Sequence, residues 1–276
     1  METLIMHGKA VAEVLEKEMT AKILNAKKNG KEVCLAVVTV GEDAPSHVYK
    51  NRLIKIAERM GANTKVVELP KETTQEEVEE VIEELNNDLA ITGILPMMPM
   101  PKHIDGDAIG SKVKPNKDVD CLNPLNAGEL YMGKSRWAPC TPRACMATLK
   151  HYGIELSGKH VVVVGRSNVV GKPVALLLLQ ENATVTICHS KTKNIAEVIR
   201  TADIVVAAVG RANFVTSDMV KEGAVIIDVG INFANGKLVG DVSADVSEKA
   251  SAFTPVPGGI GVVSNVMVMD LIARTL

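Results

Sequence analysis

The chain has 276 residues, more than one typical domain and enough for two with sizeable cores. Lys and Arg total 31 against 33 Asp and Glu, a formal net charge of -2, and aromatics make up only 3%, so no basic patch with interleaved aromatics exists to hold nucleic acid. The segment from Met1 to Met6 soon meets charged helix, and the longest apolar runs are far too short to span a bilayer, so neither a signal peptide nor a membrane segment is expected and the protein is expected to be cytoplasmic.

In chain order, residues 8–29 carry Val11, Leu15, Met19 and Ile23 at helical spacing, and the apolar run 33–40 follows as a strand. Residues 41–45 are turn-like, and Ser46 is positioned to cap a helix running to about Met60. A second strand is expected over 64–69. Thr74-Gln75-Glu76-Glu77 is a capping box opening a helix with Val78, Val81, Ile82 and Leu85 on one face, and 91–95 reads as a third strand. This β-α-β-α-β rhythm predicts a parallel sheet covered by helices. Residues 96–142 are rich in proline, glycine and aspartate and read as linker and cleft wall. A helix over 144–152 then precedes four strand candidates at 160–164, 183–188, 203–208 and 224–229, and 264–276 reads as a closing helix. The expected fold is α/β: two α/β domains with a cleft between them, the second a Rossmann-like dinucleotide-binding domain.

Five cysteines (Cys34, Cys121, Cys140, Cys145, Cys188) are odd in number and form no C-x-x-C pair, the pattern of free thiols in a reducing compartment. The six histidines are scattered, with no H-x-x-x-H spacing, so no metal site is expected.

The chemistry concentrates first at Gly165-Arg166-Ser167-Asn168-Val169-Val170-Gly171, set between the apolar runs 161–164 and 173–179. Strand, glycine-bounded turn and helix in immediate succession build a phosphate site, because the glycines allow close backbone approach and the new helix offers unpaired N–H groups and the positive end of its dipole. Pro173 suits the first helical turn. The spacing is not G-x-G-x-x-G, so a tight strand-to-helix turn without a ligand is the plainer alternative. The next strand, 183–188, runs into His189-Ser190-Lys191-Thr192, where an NAD-binding unit normally ends in Asp or Glu. No carboxylate stands there to repel a 2′-phosphate, and Arg166, Ser190 and Lys191 supply a cation and hydrogen-bond donors for one, so NADP is favoured over NAD. The bland reading makes Arg166 and Lys191 ordinary surface charges.

Several segments together resemble the methylenetetrahydrofolate dehydrogenase/cyclohydrolases of one-carbon metabolism, over essentially the whole chain. They are Ser46-x-x-Tyr49, Asp118-Val119-Asp120, Pro139-Cys140-Thr141-Pro142, the Gly165 to Gly171 turn, Cys188-His189-Ser190-Lys191-Thr192, Asp228-Val229-Gly230-Ile231-Asn232, Val239-Gly240-Asp241-Val242 and Thr254-Pro255-Val256-Pro257-Gly258-Gly259. The resemblance implies a folate-binding catalytic domain over 1–138 with the helix 262–276, an NADP-binding domain over 139–261, tetrahydrofolate one-carbon derivatives as substrates, and a homodimer. It assigns Gly165, Arg166, Ser167 and Gly171 to the cofactor diphosphate and ribose edge, Ser190 to the 2′-phosphate, and Thr141 and Ile231 to the nicotinamide end. Tyr49 would pack on the folate ring and Asp120 would bind the pterin, the two counted as catalytic. A carboxylate can accept the adjacent N–H and amino groups of a pterin as it accepts those of arginine. The substrate side is completed by Leu53, Pro96, Met97 and Met98, and by Pro255, Pro257, Gly258, Gly259 and Val263 of a proline-glycine loop. From local sequence alone, Asp120 is equally a turn-capping residue and Tyr49 a core aromatic.

The chain departs from the family pattern in three places. Its bifunctional members carry lysine four residues after the tyrosine and glutamine in a Val-Gln-Leu-Pro stretch; here these positions hold Leu53 and Met97, and the usual Pro-Met-Thr after Gly261 is Val262-Val263-Ser264. Lys55, six residues from Tyr49, lies well around the helix and is a poor stand-in. Leu53 also continues the apolar stripe Tyr49, Leu53, Ile56, Met60. Hydride removal leaves a methenyl cation stabilised by its own nitrogens and needs positioning rather than a base, whereas hydrolysis of that cation needs water addition and proton movement. The expectation is therefore an NADP-dependent dehydrogenase with weak or absent cyclohydrolase activity. A bifunctional enzyme and a non-catalytic NADP- or folate-binding protein are the alternatives.

Overall fold

The computed structural model describes residues 3–41, 44–134, 137–234 and 236–274, of which 44–46 are described in backbone only. The chain runs through β1 (Leu4–Ile5), α1 (Gly8–Lys28), β2 (Cys34–Val40), α2 (Ala44–Arg59), β3 (Asn63–Leu69), α3 (Gln75–Asn87), β4 (Gly93–Pro96), α4 (Gly106–Lys112), α5 (Pro124–Tyr131) and α6 (Cys140–His151). It continues through β5 (His160–Val164), α7 (Gly171–Gln180), β6 (Thr184–Cys188), α8 (Ile195–Arg200), β7 (Ile204–Ala207), β8 (Val225–Asp228), β9 (Asn232–Ala234), β10 (Lys237–Val239), β11 (Ala252–Phe253) and α9 (Ile260–Arg274). Two compact units result, one from Val14–Cys140 with Asn265–Leu276, the other from Met1–Glu13 with Thr141–Ser264.

In the first of these units a parallel sheet has the order β3-β2-β4. Central β2 is buried at every position but its last, as a run of Cys, Leu, Ala and Val sandwiched on both faces should be, while β3 alternates exposed and half-buried at the edge. Ala36, Val38, Val78, Ile82, Leu85 and Ile94 pack into one core. The Thr74 capping box forms in full, its hydroxyl accepting from Glu77 N and Glu77 accepting from Thr74 N. The stretch 96–142 is not a linker: it contains α4, started by Asp105, and α5, started by Asn123 with Pro124 behind it. Helices this short show too little periodicity for a hydrophobic pattern to reveal them, although their caps are legible. Helix α2 begins at Ala44, so Ser46 lies inside it rather than capping it.

The second unit holds a six-stranded, all-parallel sheet of order β1-β11-β8-β7-β5-β6. Val162, Val164, Val205, Ala207 and Ile226 form its core. After β6 the chain crosses to the opposite side of β5 to lay down β7, which makes β5/β7 the topological switch point where such sheets bind ligands. The expected boundary at residue 1 shifts here: Leu4 pairs with Ala252 and Met6 N donates to Phe253 O, so the N-terminal segment completes this sheet. A two-residue strand leaves no periodic trace in the sequence. The two last residues of the expected C-terminal helix fall outside the described residues. All five cysteines are unbridged and buried. Among the described residues, no helix is long and apolar enough to cross a membrane.

Candidate active site

The glycine turn follows β5 directly. Gly165 has φ +133, and a Cβ on it would overlap the carbonyl of Ala208 beyond β7; one on Gly171 would overlap the carbonyl of Gly165, so α7 starts hard against the turn. Gly165 N donates to Cys188 O at 2.9 Å, which fixes the turn beside the end of β6. Ser167 Oγ accepts from Val170 N at 3.1 Å and from Gly171 N at 3.4 Å, and Val170, the residue at the helix cap, contributes no side-chain bond. Ser167 therefore orders the turn itself, while Arg166 stays exposed.

Beyond β6, Thr192 Oγ1 accepts from His189 N at 2.9 Å and Lys191 N donates to His189 Nδ1 at 3.1 Å. This small turn leaves Ser190 and Lys191 exposed at a strand end register-paired with that of β5, Val164 opposite Cys188. Thr141 and Ile231 gather on the first turn of α9: Thr141 Oγ1 lies 2.9 Å from Ser264 Oγ, and Ile231 Cδ1 lies 3.8 Å from where a Cβ on Gly261 would stand. Gly261 and Ser264 are three apart and share a helix face. Ile231 keeps 64% of its surface exposed. In the loop 255–259, Gly258 has φ +106 and its carbonyl accepts from Gly8 N at 2.8 Å, while a Cβ on Gly259 would sit 2.5 Å from Pro255 O. Gly258 supplies the positive φ and Gly259 the close backbone packing, and Pro257 remains exposed.

In the other unit, Asp118 and Asp120 divide their roles. Asp118, 1% exposed, accepts from Leu122 N, Asn123 N and Asn126 Nδ2 at 2.8–3.0 Å and is bridged to Ile94 of β4, so it holds the loop together. Cys121 at φ +54 turns the chain so that those amides face the carboxylate. Asp120 is half-buried and accepts at Oδ1 from Cys140 N at 3.0 Å, at the start of α6. Burial pushes its carboxyl up to about 6, against the lowering effect of its bonds to Cys140. Tyr49, half-buried on α2, has its phenol pushed well up, first by burial and then by Cys140 and Asp120 beside it. Tyr49, Asp120 and Cys140 thus form one cluster, and Cys140 was not singled out by sequence.

The substrate-side assignments divide. Met98 is 37% exposed and lies against Gly106 of α4. Pro96 is buried in β4, and Met97, 6% exposed, donates its N–H to Val38 O at 2.8 Å at the carboxyl edge of the sheet. Leu53 and Val263, assigned to the substrate side by the resemblance, are 1% and 0% exposed and pack as core residues. Helical spacing carried Leu53 into the apolar stripe, and Val263 follows the same logic at the start of α9.

A six-stranded parallel sheet with a glycine-bounded turn at its switch point, joined in one chain to a second α/β unit with a three-stranded sheet and a half-buried carboxylate and phenol, defines a two-unit α/β protein with a dinucleotide-binding domain. The family model for the tetrahydrofolate dehydrogenase/cyclohydrolase catalytic domain matches residues 6–120, and that for its NAD(P)-binding domain matches 139–276. The chain belongs to the tetrahydrofolate dehydrogenase/cyclohydrolase family. It is 48% identical over 263 residues to the bifunctional protein FolD of Bacillus subtilis strain 168, covering 95% of this chain and 93% of that one. Among solved structures it is similar to the bifunctional FolD methylenetetrahydrofolate dehydrogenase/cyclohydrolase of Campylobacter jejuni, with TM-score 0.97, 40% identity and coverage of 99% and 98% of the two chains. The Trypanosoma brucei N5,N10-methylenetetrahydrofolate dehydrogenase-cyclohydrolase, solved with NADP cofactor and an inhibitor, matches with TM-score 0.94 and 39% identity over 100% of this chain and 97% of that one.

Proposed function

We propose that the protein transfers hydride between 5,10-methylenetetrahydrofolate and NADP, giving 5,10-methenyltetrahydrofolate, and that it hydrolyses that product weakly or not at all. Family membership supports the dehydrogenase half. The bare Gly165 and Gly171 let the turn pack against the backbone beyond β7 and let α7 start directly behind it, which presents the amino end of α7 at the switch point, where a dinucleotide diphosphate fits. Arg166, Ser190 and Lys191 supply donors for a 2′-phosphate at a strand end without carboxylates, and Thr141 and Ile231 fit the nicotinamide end. When bound, NADP accepts the hydride. The protein's own part is to hold the pterin on Asp120 and Tyr49 and to keep the reacting carbon oriented; the cation left behind is stabilised by its own nitrogens, so no side chain has to remove a proton.

The observation that carries the second half is the burial of Leu53 and Met97, where bifunctional relatives place lysine and glutamine. Neither can move a proton to or from water. The adjacent Lys50 does not replace the lost ammonium, because its Nζ is engaged by Glu68 Oε1 and by His47 Nδ1 at 3.1 Å. A homodimer, as the resemblance implies, belongs to the same proposal.

A bifunctional enzyme is the second reading, favoured by the bifunctional relative at 48% identity. The two readings separate when NADPH formation from methylenetetrahydrofolate and enzyme-dependent decay of added methenyltetrahydrofolate are measured independently on purified protein. Hydride transfer with hydrolysis near background is expected. Hydrolysis as fast as hydride transfer would establish the bifunctional reading, and loss of both activities with ligand binding intact would make the protein a binding module.

A further inference from the structure

We propose that Asp241 is a positioning residue for the cofactor, acting as a resident anion that locks the loop after β7 at the switch point of the sheet. The inference rests on the NADP reading of this unit and concerns a residue outside the turn that reading uses.

Asp241 is 0% exposed, and its carboxylate is filled by donors. Oδ2 accepts from Val209 N at 2.6 Å and Gly210 N at 2.9 Å, and Oδ1 accepts from Arg211 N at 2.9 Å and Asn232 Nδ2 at 2.9 Å. Three successive backbone N–H groups converging on one anion form the kind of concavity that elsewhere captures phosphate. Here the chain supplies its own anion. The neighbouring Arg211 guanidinium lies over the Phe214 ring, 4.8 Å from its centre, rather than among the donors recorded for Asp241.

The location gives this cradle its consequence. Ala208, the residue before the three donors, is the one whose carbonyl packs against the bare Cα of Gly165, so the loop 208–211 and the glycine turn lie side by side at the carboxyl ends of β5 and β7, the edge where such sheets bind ligands. The fourth donor, Asn232, directly follows Ile231. One carboxylate therefore sets both the loop beside the glycine turn and the segment carrying Ile231. Asp228 reinforces it, accepting at Oδ1 from Asp241 N and Gly230 N at 2.9 Å and at Oδ2 from Val242 N at 3.1 Å. Removing the Asp241 carboxylate leaves four donors facing an empty, anion-shaped space, and the loop loses the constraint that keeps this edge ready.

The test is NADP affinity by calorimetry on the full chain, alongside KM for NADP and for methylenetetrahydrofolate, with and without added formate. Asp241→Ala is expected to weaken NADP binding at least about tenfold, the scale of losing hydrogen bonds to a charged group, while the folate KM changes less than about twofold. Formate, small enough to occupy the vacated cradle, should restore most of the NADP affinity, a recovery that general loss of stability would not show. Asn232→Ala keeps the carboxylate and removes one donor, so it should weaken NADP binding in the same direction but less, and it serves if Asp241→Ala does not fold. NADP affinity unchanged in the folded variants, or NADP and folate constants worsening together without recovery in formate, overturns the role of Asp241. Wild-type protein that fails to bind NADP overturns the cofactor reading itself.

Discussion

The backbone N–H of Cys140, at the start of α6, donates to the Asp120 carboxylate at 3.0 Å, so a non-local aspartate meets the amide-rich end of a helix. That bond and the thiol beside it favour the ionised carboxylate, but burial outweighs them and holds the group at about 6. Above that pH both oxygens accept; below it one carries a proton and could not take the second of the two donors of the pterin proposed to bind there.

The folate kcat/KM should therefore fall about tenfold per pH unit below about pH 6, because this parameter reports the free enzyme's groups. Initial rates between pH 5 and pH 8 at saturating NADP check it, the pH window being set to bracket about 6. Asp120→Asn should lower activity and remove the dependence. For stability the sign is opposite to that of a salt-bridged acid: a pKa raised from 3.8 means the native state binds the proton more tightly, so this group's contribution declines as pH rises from 3.8 to about 6 and is then constant.

Leu53→Lys together with Met97→Gln should raise hydrolysis of methenyltetrahydrofolate at least about tenfold, a fraction of what acid–base groups usually supply, and leave hydride transfer largely unchanged. Placing an ammonium at a position 1% exposed should also lower stability by more than about 2 kcal/mol, visible in urea unfolding. A folded double variant with background hydrolysis would remove these positions from the explanation.

Gly165→Ala adds a Cβ where the Ala208 carbonyl stands, at φ +133, and should lower stability by about 2–4 kcal/mol and abolish NADP binding. Gly128→Ala, in α5 with nothing within 4 Å of the new Cβ, should be neutral or stabilising by up to about 1 kcal/mol. Thermal melting of the pair separates a glycine the backbone requires from one it merely tolerates.

Arg166→Ala should raise the NADP KM at least about tenfold and the NAD KM less than about twofold, since only the first coenzyme carries a 2′-phosphate for the guanidinium to pair with. Parallel titrations with the two coenzymes check it. Equal losses would place Arg166 on the shared diphosphate instead.

What could be read in sequence was what depends on neighbours along the chain. Periodicity separated helices from strands, Thr74 and Glu77 announced a capping box that forms, and the glycines after 161–164 announced the tight strand-to-helix turn between β5 and α7. The apolar residues at 53 and 97 were equally legible, because a substitution needs only its position to be noticed. Tertiary structure alone decided matters settled by partners far along the chain. It put β1 into the sheet through pairing with β11, gave Asp118 the loop and left Asp120 beside Tyr49, and bonded the Ser167 hydroxyl to its own turn. It also filled the 209–211 cradle with a carboxylate thirty or more residues away. Local pattern reports which side chains are available; which donor an acceptor meets depends on how distant segments converge, and only the folded chain specifies that.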